Sequence, residues 1–177
     1  MDSRQLNSLI GQISKVLIAI ELDLRPSILI DNEKLNDLQE KLNRIIPHLI
    51  NHQIPKKLLY ELNYCYLSLI TEINYADDLT NTPLRGAIAK YEQIVFDFLN
   101  SGIAIHSKLP GNEKDIDSTI CIIEENVRHE TTVSQQNAYK LFKLQCDYVR
   151  NNWSAENKST WLANFERIYY QVENVYK

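Results

Sequence analysis

Two histidines four residues apart, His48 and His52, are the side chains in this sequence whose type and spacing first suggest chemistry. On a helix that interval stacks both imidazoles on one face, as a helical metal site requires. The residues between them are Leu49, Ile50 and Asn51, so the glutamate that serves as general base in a His-Glu-x-x-His zinc hydrolase is missing. Pro47 also interrupts the helix that would carry the pair. Glu125 and His129 repeat the interval. A di-iron bundle instead places Glu and His three apart on paired helices, and that spacing does not occur in this chain. A Glu and His near a helix end, where the dipole favours a partly positive imidazole, account for the second pair without a metal. A metal-dependent reading therefore rests on His48, His52, Glu125 and His129, and each has a plain structural role as its alternative.

Other catalytic and ligand signatures are missing. There is no Gly-x-Ser-x-Gly, no Walker loop and no Gly-x-Gly-x-x-Gly, and the 4 glycines are too dispersed to cradle a phosphate. Asp77 and Asp78 lack the alternating acids and glycine of a calcium loop. Cys65, Cys121 and Cys146 are odd in number, far apart and without a Cys-x-x-Cys pair. Neither a disulfide framework nor a zinc knuckle is indicated, and a reducing compartment fits best. Each lies on or beside an apolar stripe, which predicts buried, inert thiols.

Two groups of residues suit contact with a macromolecule. Glu113, Asp115, Asp117, Glu124 and Glu125 form the densest acidic stretch, a surface suited to a basic protein partner. The chain also has 10 tyrosines against 4 phenylalanines, and Tyr60, Tyr64, Tyr75, Tyr139, Tyr170 and Tyr176 cannot all point into one core. Tyrosine is enriched at protein interfaces because it combines apolar area with a hydroxyl; Tyr170 and Tyr176 are the tyrosines assigned to contact here.

Helices must position these groups. Leu6, Leu9, Ile10, Ile13, Val16, Leu17 and Ile20 recur at helical spacing behind Ser3 as N-cap. Leu35, Leu38, Leu42, Ile45, Ile46, Leu49 and Ile50 define a second stripe, with a kink or break expected at Pro47. A third helix starts at Ile54-Pro55, and Tyr60, Tyr64 and Leu67 widen its apolar face, so it is expected to be surrounded on most sides. A fourth is expected from Thr82-Pro83 to Gly102. Residues 103–115, with Pro110-Gly111, read as loop, and further stripes fall within 116–127, 138–149 and 154–177. Thr131 to Ser134 read as a linker.

The 177 residues suffice for one domain with a sizeable core, and 44% apolar with 24% charged residues is ordinary for a folded chain. With 5 prolines and few glycines, the turn signals of an all-β fold are missing. The expectation is all-α: a compact single-domain bundle of about seven helices over 1–177, with a central apolar helix at roughly 55–75. A net charge of -4, evenly spread, argues against nucleic acid. Val16 to Ile20 is too short an apolar run for a signal peptide or membrane span, and a cytoplasmic location is expected. No cofactor is called for. These features point to a non-catalytic protein that binds another protein, as inhibitor, immunity-type factor or regulatory adaptor, with self-association also compatible. A helical metal-dependent enzyme and a small-molecule sensor with a pocket between helices are the alternatives.

Overall fold

A computed structural model describes residues 3–27, 29–73, 76, 78–101 and 132–152. The described residues are mostly helical, in agreement with the all-α expectation. Among the described residues five α-helices follow in order: α1 (Ser3–Ser27), α2 (Asn32–Ile45), α3 (Lys56–Glu72), α4 (Asp78–Asn100) and α5 (Gln135–Asn152). Two three-residue strands, β1 (Gln53–Pro55) and β2 (Thr132–Ser134), pair antiparallel with Ile54 opposite Val133. The strands lie where the sequence reads as a helix start and a linker. Each has one buried residue between two half-buried ones, a pattern too short to register as a period.

Local chemistry explains most of the helix ends. Asp31 caps α2 by accepting the Glu33 N–H at 2.8 Å. Pro47 follows the last turn of α2, which ends at Ile45 as the proline demands, and Pro55 sits immediately before α3. Ser134 caps α5, its hydroxyl accepting the Asn137 N–H at 3.3 Å. The beginning of α4 differs from expectation: the helix starts at Asp78, ahead of Thr82, and Pro83 lies inside it. Pro83 has no N–H to offer the Leu79 carbonyl and its ring crowds that group. Pro83 is also exposed, so nothing packs on it that a smaller residue would lose. Pro83→Ala is expected to stabilise the protein by about 1–2 kcal/mol in urea unfolding, a regained helical bond offset by the greater freedom of the unfolded chain. A loss of stability would instead mean that the ring's restriction of the unfolded chain outweighs the missing helical bond.

The core collects the stripes. Ile13, Leu17 and Ile20 of α1 meet Leu35, Leu38, Leu42 and Ile45 of α2 in one buried cluster, which also takes in Leu62, Leu69, Tyr91, Phe98 and Phe142. Helices α1 and α2 run antiparallel, since Lys34 reaches the Ala19 carbonyl at 3.2 Å and pairs with Asp23. Helices α1 and α3 run in the same direction: Ser14 donates to Glu61 at 2.6 Å, and one to two turns further on Glu21 lies close enough to Cys65 to act on it electrostatically. Helix α3 packs on α1, α4 and α5. Its Tyr64 is exposed and stacks on half-buried Tyr60 at 5.9 Å between ring centres.

Candidate functional site

The site with the most constructed geometry lies where α2 gives way to β1. After Ile45 the backbone tightens into a 3-10 turn over Ile46–His48, becomes extended at Leu49 and turns again over Ile50–His52. Asn51 (φ 50°) and His52 (φ 55°) are both left-handed. Such conformations cost roughly 1–3 kcal/mol per residue, at the lower end for Asn and His, which tolerate them best. His48 and His52 therefore do not share a helix face, which removes the geometry on which the paired-imidazole metal reading depended. Ile50, counted among the core residues of the second stripe, is 77% exposed, because the helix that would have turned it inward ends before reaching it.

A buried glutamine braces the turn. Gln135, the first residue of α5, is fully buried, and its Nε2 donates to the Phe98 carbonyl and to Ser101 Oγ, both at 3.1 Å. The Ser101 hydroxyl itself donates to the Phe98 carbonyl at 2.7 Å. On the other side, Gln135 Oε1 lies 3.0 Å from His52 Nδ1. The β1–β2 pair closes the arrangement: Ile54 and Val133 bury their side chains, and Thr132 donates to Gln53 Oε1 at 3.3 Å. The end of α4, the start of α5 and the residues before α3 thus converge on one turn that displays Ile50 and His52 outward.

Other apolar side chains are exposed away from this turn, among them Leu29 before α2 and, at 84%, Leu79 at the start of α4. Ile18 and Leu22 on α1 and Tyr64 on α3 are exposed, with Ile18 and Tyr64 each about one turn beyond the Ser14–Glu61 hydrogen bond. Burial raises the Glu61 carboxyl above its ordinary value, opposed by the Ser14 hydroxyl and Lys57. A groove of about 260 Å³ between α1 and α2 is lined by Gln12, Lys15, Val16, Ala19, Lys34, Asp37 and Lys41. It falls short of the roughly 300–1,000 Å³ usual for small-molecule sites, and Lys34 and Lys41 are engaged by Asp23 and Asp37. Among the described residues no group of three or more His, Cys, Asp or Glu could hold a metal ion, and no helix is long and apolar enough to cross a membrane.

The interior holds a second concentration of polar groups. Tyr66 donates to the Glu92 carboxylate at 2.8 Å, and Tyr91 donates to the Leu62 carbonyl at 2.7 Å. Cys65 and Cys146 are buried and form no disulfide, as their stripe positions predict. Burial, reinforced by the Glu21 carboxylate, pushes the Cys65 thiol far above the usual range despite the Tyr91 hydroxyl beside it. Burial likewise raises Tyr91, with Cys65 adding to it. Cys65 and Tyr91 thus stay protonated, the form that serves neither as nucleophile nor as base.

The residues that the sequence singled out for contact, Glu113, Asp115, Asp117, Glu124, Glu125, Tyr170 and Tyr176, lie outside the described residues, as do Glu125 and His129 as a metal pair, Cys121 and the 103–115 loop. Of the tyrosines, Tyr139 is half-buried and its ring centre lies 5.4 Å from that of Phe96. The sequence did not reveal Gln135 or Ser101. Both are common polar types at helix ends, and only their meeting with His52 across the fold makes them a brace. No known protein family, curated protein or solved structure matches the chain.

Proposed function

We propose that this chain acts by binding another protein, as an inhibitor, immunity-type factor or regulatory adaptor, without catalysing a reaction, and that the Ile50–His52 turn is one of its contacts. One observation carries the reading: a large apolar side chain, Ile50, 77% exposed, directly precedes two consecutive left-handed residues, the second of which is hydrogen-bonded to a fully buried glutamine. The exposed Ile50 contributes little to folding and the left-handed backbone opposes it, and binding residues are characteristically found on loops that a rigid scaffold positions. The acidic residues Glu113, Asp115, Asp117, Glu124 and Glu125, with Tyr170 and Tyr176, would extend the contact and favour a basic partner. In this reading residues 1–177 form one cytoplasmic domain of about seven helices, and α3 is the helix the others surround.

The test compares wild type, Ile50→Asp and a doubly substituted Ile18→Asp/Leu22→Asp protein in affinity capture from native extract, followed by titration of any protein recovered in stoichiometric amount. Ile50→Asp is expected to weaken that complex at least about tenfold while shifting the unfolding free energy by no more than about 0.5 kcal/mol, as for an exposed anchor. If only the α1 variant lost binding, the contact would belong to the Ile18–Leu22 face. Turnover of a substrate, with no protein recovered, would overturn the reading.

A further inference from the structure

We infer that His52 is held as its Nδ1–H tautomer, which leaves Nε2 as a fixed, outward hydrogen-bond acceptor beside Ile50 for an N–H or O–H donor of the bound protein. The role of Nε2 rests on the protein-binding reading above, whereas the tautomer stands on geometry alone. The Phe98 carbonyl can only accept, so the Gln135 amide must turn its nitrogen towards it. Ser101 has committed its own proton to the same carbonyl and can only accept the second amide proton. Both N–H groups of Gln135 are thus used inward, and the atom facing His52 is Oε1, which has no proton to give. Nδ1, 3.0 Å away, must be the donor. In the neutral ring the lone pair then resides on Nε2, which has no hydrogen-bond partner among the described residues.

A free histidine side chain exchanges between tautomers and turns about its own bonds. Here the backbone is confined at φ 55° and the ring is bonded to a residue that is itself bonded to two groups of the α4 terminus. His52 therefore presents an acceptor held by Gln135, two residues along the chain from the exposed Ile50 side chain. The partner that fits is a protein surface with an apolar pocket rimmed by a backbone N–H or a hydroxyl, amide or ammonium donor.

Long-range proton–nitrogen NMR on the full chain with labelled imidazoles, recorded where the rings are neutral, reads the tautomer without any partner. The expected result for His52 is a proton-bearing Nδ1 and a bare Nε2, with Gln135→Leu restoring exchange between the two forms. Diethyl pyrocarbonate, which attacks an unprotonated accessible ring nitrogen, is the second probe and should modify His52 at Nε2. A wild-type ring protonated at Nε2, or a His52 that resists the reagent, would overturn the inference even if Gln135→Leu failed to fold. Titrating in the protein whose capture Ile50→Asp abolishes should then shift the Nε2 resonance. An unmoved resonance would remove the acceptor role while leaving the binding reading intact, and the absence of any such protein would remove the binding reading while leaving the tautomer.

Discussion

Phe142→Ala is expected to cost about 3–5 kcal/mol of unfolding free energy, the largest single loss at the positions considered. The ring is fully buried on α5 and touches two others, Tyr66 of α3 at 5.3 Å and Phe96 of α4 at 5.0 Å, both in edge-on geometry. Truncation forfeits the transfer free energy of a phenyl group, two aromatic contacts of about 0.5–1.5 kcal/mol each, and whatever part of the hole the helices cannot close. Because α5 begins at Gln135, the same substitution should loosen the brace on the Ile50–His52 turn. Urea unfolding measures the first effect, and the His52 imidazole resonances the second. A loss under about 1 kcal/mol would show that α3, α4 and α5 can collapse around the missing ring.

Tyr66→Phe is the second large effect, at about 1.5–3 kcal/mol, the range for a buried hydrogen bond to a charged group. Tyr66 is fully buried, Glu92 nearly so, and the hydroxyl donates to the carboxylate at 2.8 Å. Burial pushes the Tyr66 hydroxyl far above its ordinary value, and Cys146 and Glu92 add to the shift, so it stays a donor across any ordinary pH. Replacing it by hydrogen withdraws a donor from a carboxylate that water cannot easily reach. The combined variant Tyr66→Phe/Glu92→Leu should cost less than the sum of its parts, since removing both partners leaves no buried charge short of a donor. Strict additivity in urea unfolding would mean that the two groups do not stabilise one another.

These outcomes bear on which parts of the molecule its residue pattern reveals. The helix content was legible because Ile13, Leu17 and Ile20, or Leu35, Leu38 and Leu42, recur at the spacing that places them on one face, and that face has to be buried whatever surrounds it. The break after α2 was legible for an equally local reason, the ring and missing N–H of Pro47. Proline misled at the start of α4. A Thr-Pro pair marks a helix beginning only if nothing upstream extends the helix, and here the chain is helical from Asp78.

The candidate site was legible only in fragments. His52 attracted notice through its spacing from His48, but that spacing implied a shared helix face which the left-handed Asn51 and His52 deny. Ile50 looked like core because its place in a stripe carries no information on where the helix stops. The residue that makes the turn a site, Gln135, is separated from His52 by β1, all of α3 and α4, and the chain between α4 and α5. Residue type and spacing within about ten positions determine whether a segment coils and which face is apolar, since those preferences arise between neighbours along one chain. Which proton His52 carries, and whether Ile50 meets core or water, were decided only when α4 and α5 brought Phe98, Ser101 and Gln135 together, because a hydrogen-bond chain across the fold exists only once the fold has formed.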